Sequence, residues 1–253
     1  MARAWTEREL LIAMNVYCKL PFGKLNHGNS LIVKIAERMD RTPSSVSMKL
    51  CNLASFDPAL QARGIKGLKG ASRADRAMWD SFTSGWETMS EKSEIAFEAL
   101  MDGVVPKKQA AEFQQPSGPS EVERTVKTRR LQTFFRNAVL SSYEYRCAVT
   151  GMTVEKMLIA SHIIPWKDDE TRRADPTNGI CLNALYDLAF DKGFITFDDD
   201  FKMVVSSLLK GKEIPEFQQI NFVKMAGTKL ILPHRFCPDS IALEKHRSEI
   251  FQT

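Results

Sequence analysis

Residues 147–197 read CAVTGMTVEKMLIASHIIPWKDDETRRADPTNGICLNALYDLAFDKGFITF, and this stretch decides the fold of the C-terminal half. It holds His162, one of four histidines in the chain, within Ser161-His-Ile-Ile-Pro165. Asn178 follows sixteen residues later and opens the apolar run Asn-Gly-Ile-Cys-Leu. Asp187 comes nine residues after that, inside Leu185-Tyr-Asp-Leu-Ala-Phe190. The order predicts an apolar strand ending in a histidine, a polar loop, a second short strand and a helix carrying a carboxylate.

Those three residue types suit one chemistry. Hydrolysis of a phosphodiester needs an activated water, a cation against the developing charge, and rigid placement of both. A histidine accepts a proton near neutral pH. A carboxylate holds a hard cation. An asparagine amide bonds backbone on both of its sides and fixes a loop. Asp191 lies four residues after Asp187 on the same helical face. It reads either as a second metal ligand or as a structural residue of the Asp191-Lys-Gly193 helix end. His234 and His246 lie outside the stretch and are read as inactive.

Working outward, the flanking elements are helical in front and mixed behind. A helical pattern from near Val122 to about Tyr145 leads into the stretch, and Phe194–Phe197 with Met203–Ser206 reads as a hairpin around Asp198-Asp-Asp200. The tail from Ile241 to Phe251 reads as a short helix. Before residue 122, Asp102–Glu121 carries three prolines and two glycines with little periodicity, and is taken as a linker. The division is then 1–101, a helical domain; 102–121, the linker; and 122–253, the second domain. The fold class is α+β.

The first domain opens with Thr6-Glu-Arg-Glu9, a capping-box pattern, and a helix to about Cys18. A second helix runs from about Ser30 to Arg38. A third begins at Pro43 behind Thr42 and is expected to bury Val46, Met48, Leu50 and Leu53 in some combination while showing Ser44, Ser45, Ser47, Lys49 and Asn52. Two such helices joined by a short turn fit a helix-turn-helix, whose second helix reads a DNA groove with short polar side chains. Arg41, Ser44, Ser45, Lys49 and Asn52 are therefore DNA-contact candidates, against the alternative of a plain helical bundle. Residues 71–100 read as further helix with Trp79, Phe82, Trp86 and Met89 in the core. Residues 63–76 carry five basic residues and one acidic, which suits either a phosphate backbone or a solvated loop.

Composition sets limits. The 253 residues allow two domains, and 43% apolar with 26% charged content is that of a globular protein. No apolar run approaches the ~18 residues that span a bilayer, and the N-terminus does not read as a secretory signal. Five cysteines without a CxxC suggest a reduced, cytoplasmic protein. The net charge of +4 announces no partner by itself.

The central stretch resembles the HNH endonuclease family, with its ββα-metal fold. The resemblance implies that His162 is the general base, that Asn178 positions the loop bearing it, and that Asp187, where relatives carry a final histidine, ligates the metal. Asn178-Gly-x-x-Leu followed by Phe190-Asp-x-Gly193 is similar to the restriction-endonuclease branch, as is 130–151. Arg41-Thr-Pro-Ser-Ser-Val46 and Asn52-Leu-Ala-Ser-Phe-Asp-Pro58 resemble the domain fused to such modules. DNA cleavage in restriction or antiphage defence is the implied role. The alternative is a non-catalytic DNA-binding protein with a degenerate HNH domain, since Ser161 stands where many relatives have Asp. Oxygen ligands imply Mg²⁺ or Mn²⁺. No structural zinc is expected, because Thr150, Asn183 and Tyr186 stand where some relatives have cysteines. Arg129, Arg130, Arg136, Lys167, Arg172 and Arg173 are candidate phosphate contacts. A homodimer is a further expectation, one site cutting one strand, with no interface legible.

Overall fold

A computed structural model describes residues 3–65, 70–103 and 121–253. It is an α+β protein that divides into two compact units, Met1–Asn137 and Ala138–Thr253.

The first unit is helical: α1 (Glu7–Lys19), α2 (Ser30–Arg38), α3 (Pro43–Ala54), α4 (Pro58–Ala62), α5 (Arg73–Ser84), α6 (Trp86–Met101) and the larger part of α7 (Glu121–Ser142). Each start has a local cause. Thr6 and Glu9 form a reciprocal capping box at α1, Asn29 caps α2, Thr42 with Pro43 starts α3, Asp57 caps α4, and Ser72 with Asp75 forms a second capping box at α5. Met14, Val16 and Tyr17 of α1, Ile32 and Ile35 of α2, and Val46, Leu50 and Leu53 of α3 are fully buried. Trp79, Phe82 and Trp86 complete the core, as the sequence predicts, whereas Met89, expected with them, is half-buried.

Three expectations change here. The helix expected over 71–100 is two, because Gly85 (φ −152°, ψ 58°) ends α5 and starts α6. Second, α3 shows a different face to solvent. Met48 is 57% exposed, whereas Lys49 and Asn52 are buried. Lys49 turns inward because Asp75, fully buried on α5, bonds its ammonium at 2.5 Å. Third, the first unit runs on to Asn137, not to 101. Within it Phe134 packs on Phe82 and Trp86, with ring centroids 6.4 and 6.3 Å apart, and Lys127 and Arg130 pair with Glu87 and Glu98, each at 2.8 Å. Of the expected linker, residues 104–120 lie outside the described residues, as do 66–69 of the basic segment.

The second unit contains the predicted pair of strands and helix. Strand β1 (Leu158–His162) pairs antiparallel with β2 (Gly179–Asn183), in a register that sets Ser161 opposite Ile180 and His162 opposite Gly179. Asn183 then caps α8 (Ala184–Asp191), accepting from the backbone N–H groups of Leu185 and Tyr186. Helix α8 packs on both strands. The hairpin β3 (Ile195–Phe197) and β4 (Met203–Val205) follows, then α9 (Glu216–Asn221) and α10 (Ser240–Glu249).

Hydrogen bonds among Cys147, Thr150, Asn183 and Tyr186 hold the turn that precedes β1. Cys147 Sγ accepts from Asn183 N–H at 3.3 Å, Asn183 Nδ2 donates to Thr150 Oγ1 at 3.4 Å, and Tyr186 N–H donates to Asn183 Oδ1 at 3.1 Å. No helix among the described residues is long and apolar enough to cross a membrane.

Candidate active site

A cleft of about 680 Å³ opens beside β1 and α8. Its lining includes Ser161, His162, Trp166, Lys167, Asp187 and Asp191, so the residues singled out at the two ends of the motif face one space. They meet there for local reasons. The strand ends at His162, the β1–β2 register returns the chain beside it, and the Asn183 cap starts α8, which packs on β1, directly after β2.

His162 is held by the polar loop that follows it. Its Nε2 lies 3.0 Å from the backbone carbonyl of Arg173. A carbonyl only accepts, so Nε2 carries the proton and Nδ1 is the basic nitrogen of the neutral ring. Trp166 stands edge-on to the imidazole, with centroids 5.6 Å apart at 89°. Arg173 lies over the Trp166 ring at 5.2 Å, and its Nε donates to the Trp166 carbonyl at 2.9 Å. Burial lowers the pKa of His162, with the Arg173 carbonyl pulling the other way. The ring is therefore neutral at pH 7.

Asn178 is buried and does what an amide can do on both sides. Its Oδ1 accepts from Ile164 N–H at 2.9 Å, and its Nδ2 donates to the Ile164 carbonyl at 3.1 Å and the Arg172 carbonyl at 3.4 Å. Its own carbonyl takes Ile163 N–H at 2.9 Å. The backbone immediately after His162 is thus pinned to the start of β2.

Asp187 and Asp191 sit one turn apart on α8. Burial raises the pKa of Asp187, opposed by the Ser161 hydroxyl. Burial and the Asp187 charge raise that of Asp191, opposed by Lys192. Neither forms an ion pair among the described residues. Ser161 is 2% exposed, and its Oγ has no hydrogen bond of normal geometry although it faces Asp187. Two carboxylates shifted toward their neutral form and an orphaned buried hydroxyl make an oxygen-rich edge short of positive charge, which fits a hard divalent cation. Among the described residues no three His, Cys, Asp or Glu side chains converge as a closed cage. The fit is to an open site completed by water and substrate oxygen.

An HNH endonuclease family model matches residues 147–198. This stretch is an HNH endonuclease domain. The match spans β1, β2, α8 and β3, and supports nuclease activity in general; HNH nucleases generally use a divalent metal. No curated protein matches the chain.

The remaining candidates divide between the helical unit and the polar loop after His162. In the first unit Arg41 is bound to Glu9 at 2.9 Å and lies 4.1 Å from the Trp5 ring, so with Lys49 and Asn52 it is built into the structure. Burial alone would raise the pKa of Glu9, yet the Arg41 side chain and Thr6 hold it down to about 2. Ser44 remains exposed and Ser45 half-exposed beside Met48. Arg130 is paired with Glu98, and Arg136 is exposed. Arg172 is committed to Asp175 and Asp239 at 3.0 and 2.7 Å, and Arg173 to the His162 loop. Lys167 is exposed and lines the cleft, as does Lys192. Sequence reading missed Trp166 as the histidine's packing partner and set aside His246, which lines the cleft with Glu249 and Ile250. Nothing in the local pattern marks these positions.

Proposed function

We propose that the HNH domain is a metal-dependent DNA endonuclease centred on His162, Asn178 and Asp187. The observation that carries this reading is the fixed tautomer of His162: with Nε2–H on the Arg173 carbonyl, Nδ1 is the proton acceptor for an attacking water. Its lowered pKa keeps it deprotonated at neutral pH. Asn178 holds the histidine loop through Ile164 and Arg172, which limits loss of alignment. Asp187 would hold Mg²⁺ or Mn²⁺, with Asp191 and Ser161 beside it. When bound, such a cation supplies charge against the pentacoordinate phosphorus and the leaving oxygen. Lys167 faces the phosphate backbone. Ser44, Ser45 and Met48 on α3 are the surface offered to DNA by the helical unit, with Arg136 as an additional phosphate contact. The role in restriction or antiphage defence rests on the resemblance of 41–58 and 130–151 to restriction endonucleases.

The test is incubation of supercoiled plasmid, plain and with methylated or hydroxymethylated bases, with Mg²⁺ or Mn²⁺. Nicking or linearisation that EDTA abolishes is expected. A second reading, a DNA-binding protein with a degenerate centre, draws on the lack of a closed three-residue metal cage among the described residues. Retained DNA binding without cleavage of any substrate under any metal would establish it.

A further inference from the structure

Helix α10 and the residues after it lie outside the stretch matched to the family, yet His246, Glu249 and Ile250 form one wall of the cleft. His246 is 1% exposed. Its Nε2 lies 3.1 Å from the Phe190 carbonyl, which fixes the proton on Nε2; its Nδ1 then accepts from the Thr196 hydroxyl at 2.9 Å. The imidazole lies parallel to the Phe190 ring, 3.8 Å away at 1°. One side chain thereby ties the last turn of α8 to strand β3.

The tail continues the same contact along the chain. Gln252 donates its backbone N–H to the Gly193 carbonyl at 2.9 Å and its Nε2 to the Lys192 carbonyl at 2.7 Å. Gly193 (φ +70°) allows this approach, since a Cβ there would meet the Ile250 carbonyl oxygen at 2.1 Å. Carbonyl groups on both sides of Asp191, those of Phe190, Lys192 and Gly193, are thus engaged by residues 246–252. A helix end leaves carbonyls without intrahelical partners, so whatever binds them sets where that end points.

We infer that His246 is a positioning residue: by cross-bracing the end of α8 to β3, it fixes the two carboxylates of α8 where they face Ser161 and His162. Both of its nitrogens are engaged by protein groups, so it is not itself a ligand. The inference rests on the reading that Asp187 and Asp191 hold the cation.

Free Mn²⁺, measured by electron paramagnetic resonance during titration of the full chain without DNA, tests this. His246→Ala is expected to weaken Mn²⁺ binding by about tenfold, the lower end of losses seen when a group supporting a ligand is removed. His246→Gln, which keeps a donor toward the Phe190 carbonyl, is expected to recover most of the affinity. Leu243→Ala, which opens a cavity on the same helix without touching α8 carbonyls, is expected to lower the melting temperature and leave Mn²⁺ affinity unchanged. Unchanged affinity in His246→Ala, or equal weakening in Leu243→Ala, overturns the inference while leaving the metal reading intact provided Asp187→Ala loses binding. If Asp187→Ala binds Mn²⁺ like the parent, the metal reading falls and takes this inference with it.

Discussion

The two units treat buried charge in opposite ways. In the helical unit every prominent buried ion has a partner: Lys49 with Asp75, Arg41 with Glu9, Lys19 with Glu94. Asn15 and Tyr17 extend the same logic, bonding Ser93 and Asp57. In the HNH cleft two partly buried carboxylates form no ion pair among the described residues, and they and the neighbouring histidine are pushed toward their uncharged forms. Paired charge of the first kind holds a fold together. Unpaired charge of the second kind costs stability and marks a place where something else completes the balance.

Breaking a pair in the helical unit should have the largest effect on stability. Lys49→Ala leaves Asp75 buried and alone, and a loss of about 3–5 kcal/mol is expected in denaturant melts. A loss below 1 kcal/mol would show that water reaches Asp75. Cleavage per folded molecule should not change, because Lys49 contributes structure. In the second unit Asn178→Ala strands the N–H and carbonyl of Ile164, at about 1–3 kcal/mol for each unsatisfied group. Here stability and cleavage should fall together.

The opposite sign is expected for Asp187→Asn. Removing a carboxylate whose ionised form is disfavoured should stabilise the second unit by about 1 kcal/mol while Mn²⁺ binding is lost. A destabilised variant would mean that the Asp187 charge is already compensated within the fold.

A smaller distinction comes from acid. The pKa of His246 is lowered to about 4 by burial and by Arg247, against the Phe190 carbonyl, from an ordinary 6.5. Between those values the unfolded chain binds a proton that the folded one does not, so stability is lost as pH falls from 6.5 toward 4. Glu9 works in a lower window: its stabilising effect is present above 4.5 and is lost as pH falls toward 2. Hydrogen exchange should therefore show α10 opening at higher pH than α1.

The legibility of the sequence followed the same division. The ββα stretch could be read because its contacts are sequential: strand, loop, strand and helix are contiguous, and Asn178 bonds backbone only fourteen residues away at Ile164. The starts of α1 and α3 were legible for the same reason, the caps Thr6 and Thr42 lying within three positions of their partners, whereas the break at Gly85 between α5 and α6 was not. The exposed face of α3 was not, because periodicity could not decide between Met48 and Lys49. Lys49 finds its partner 26 residues later on α5, and only the tertiary fold brings Asp75 beneath it. The end of the first unit was missed because α7 runs through Asn137 without a break. His246 was dismissed because its partners lie 56 and 50 residues earlier.

The central claim is that His162 acts as the base of a metal-dependent phosphodiester cleavage. The direct measurement is single-turnover nicking of supercoiled plasmid in saturating Mn²⁺ by the parent chain and by His162→Ala, with circular dichroism confirming the fold of each. Cleavage reduced by about 10²–10⁴-fold in the variant, with DNA and Mn²⁺ affinity retained, is expected. Nicking by His162→Ala at the parent rate would contradict the claim.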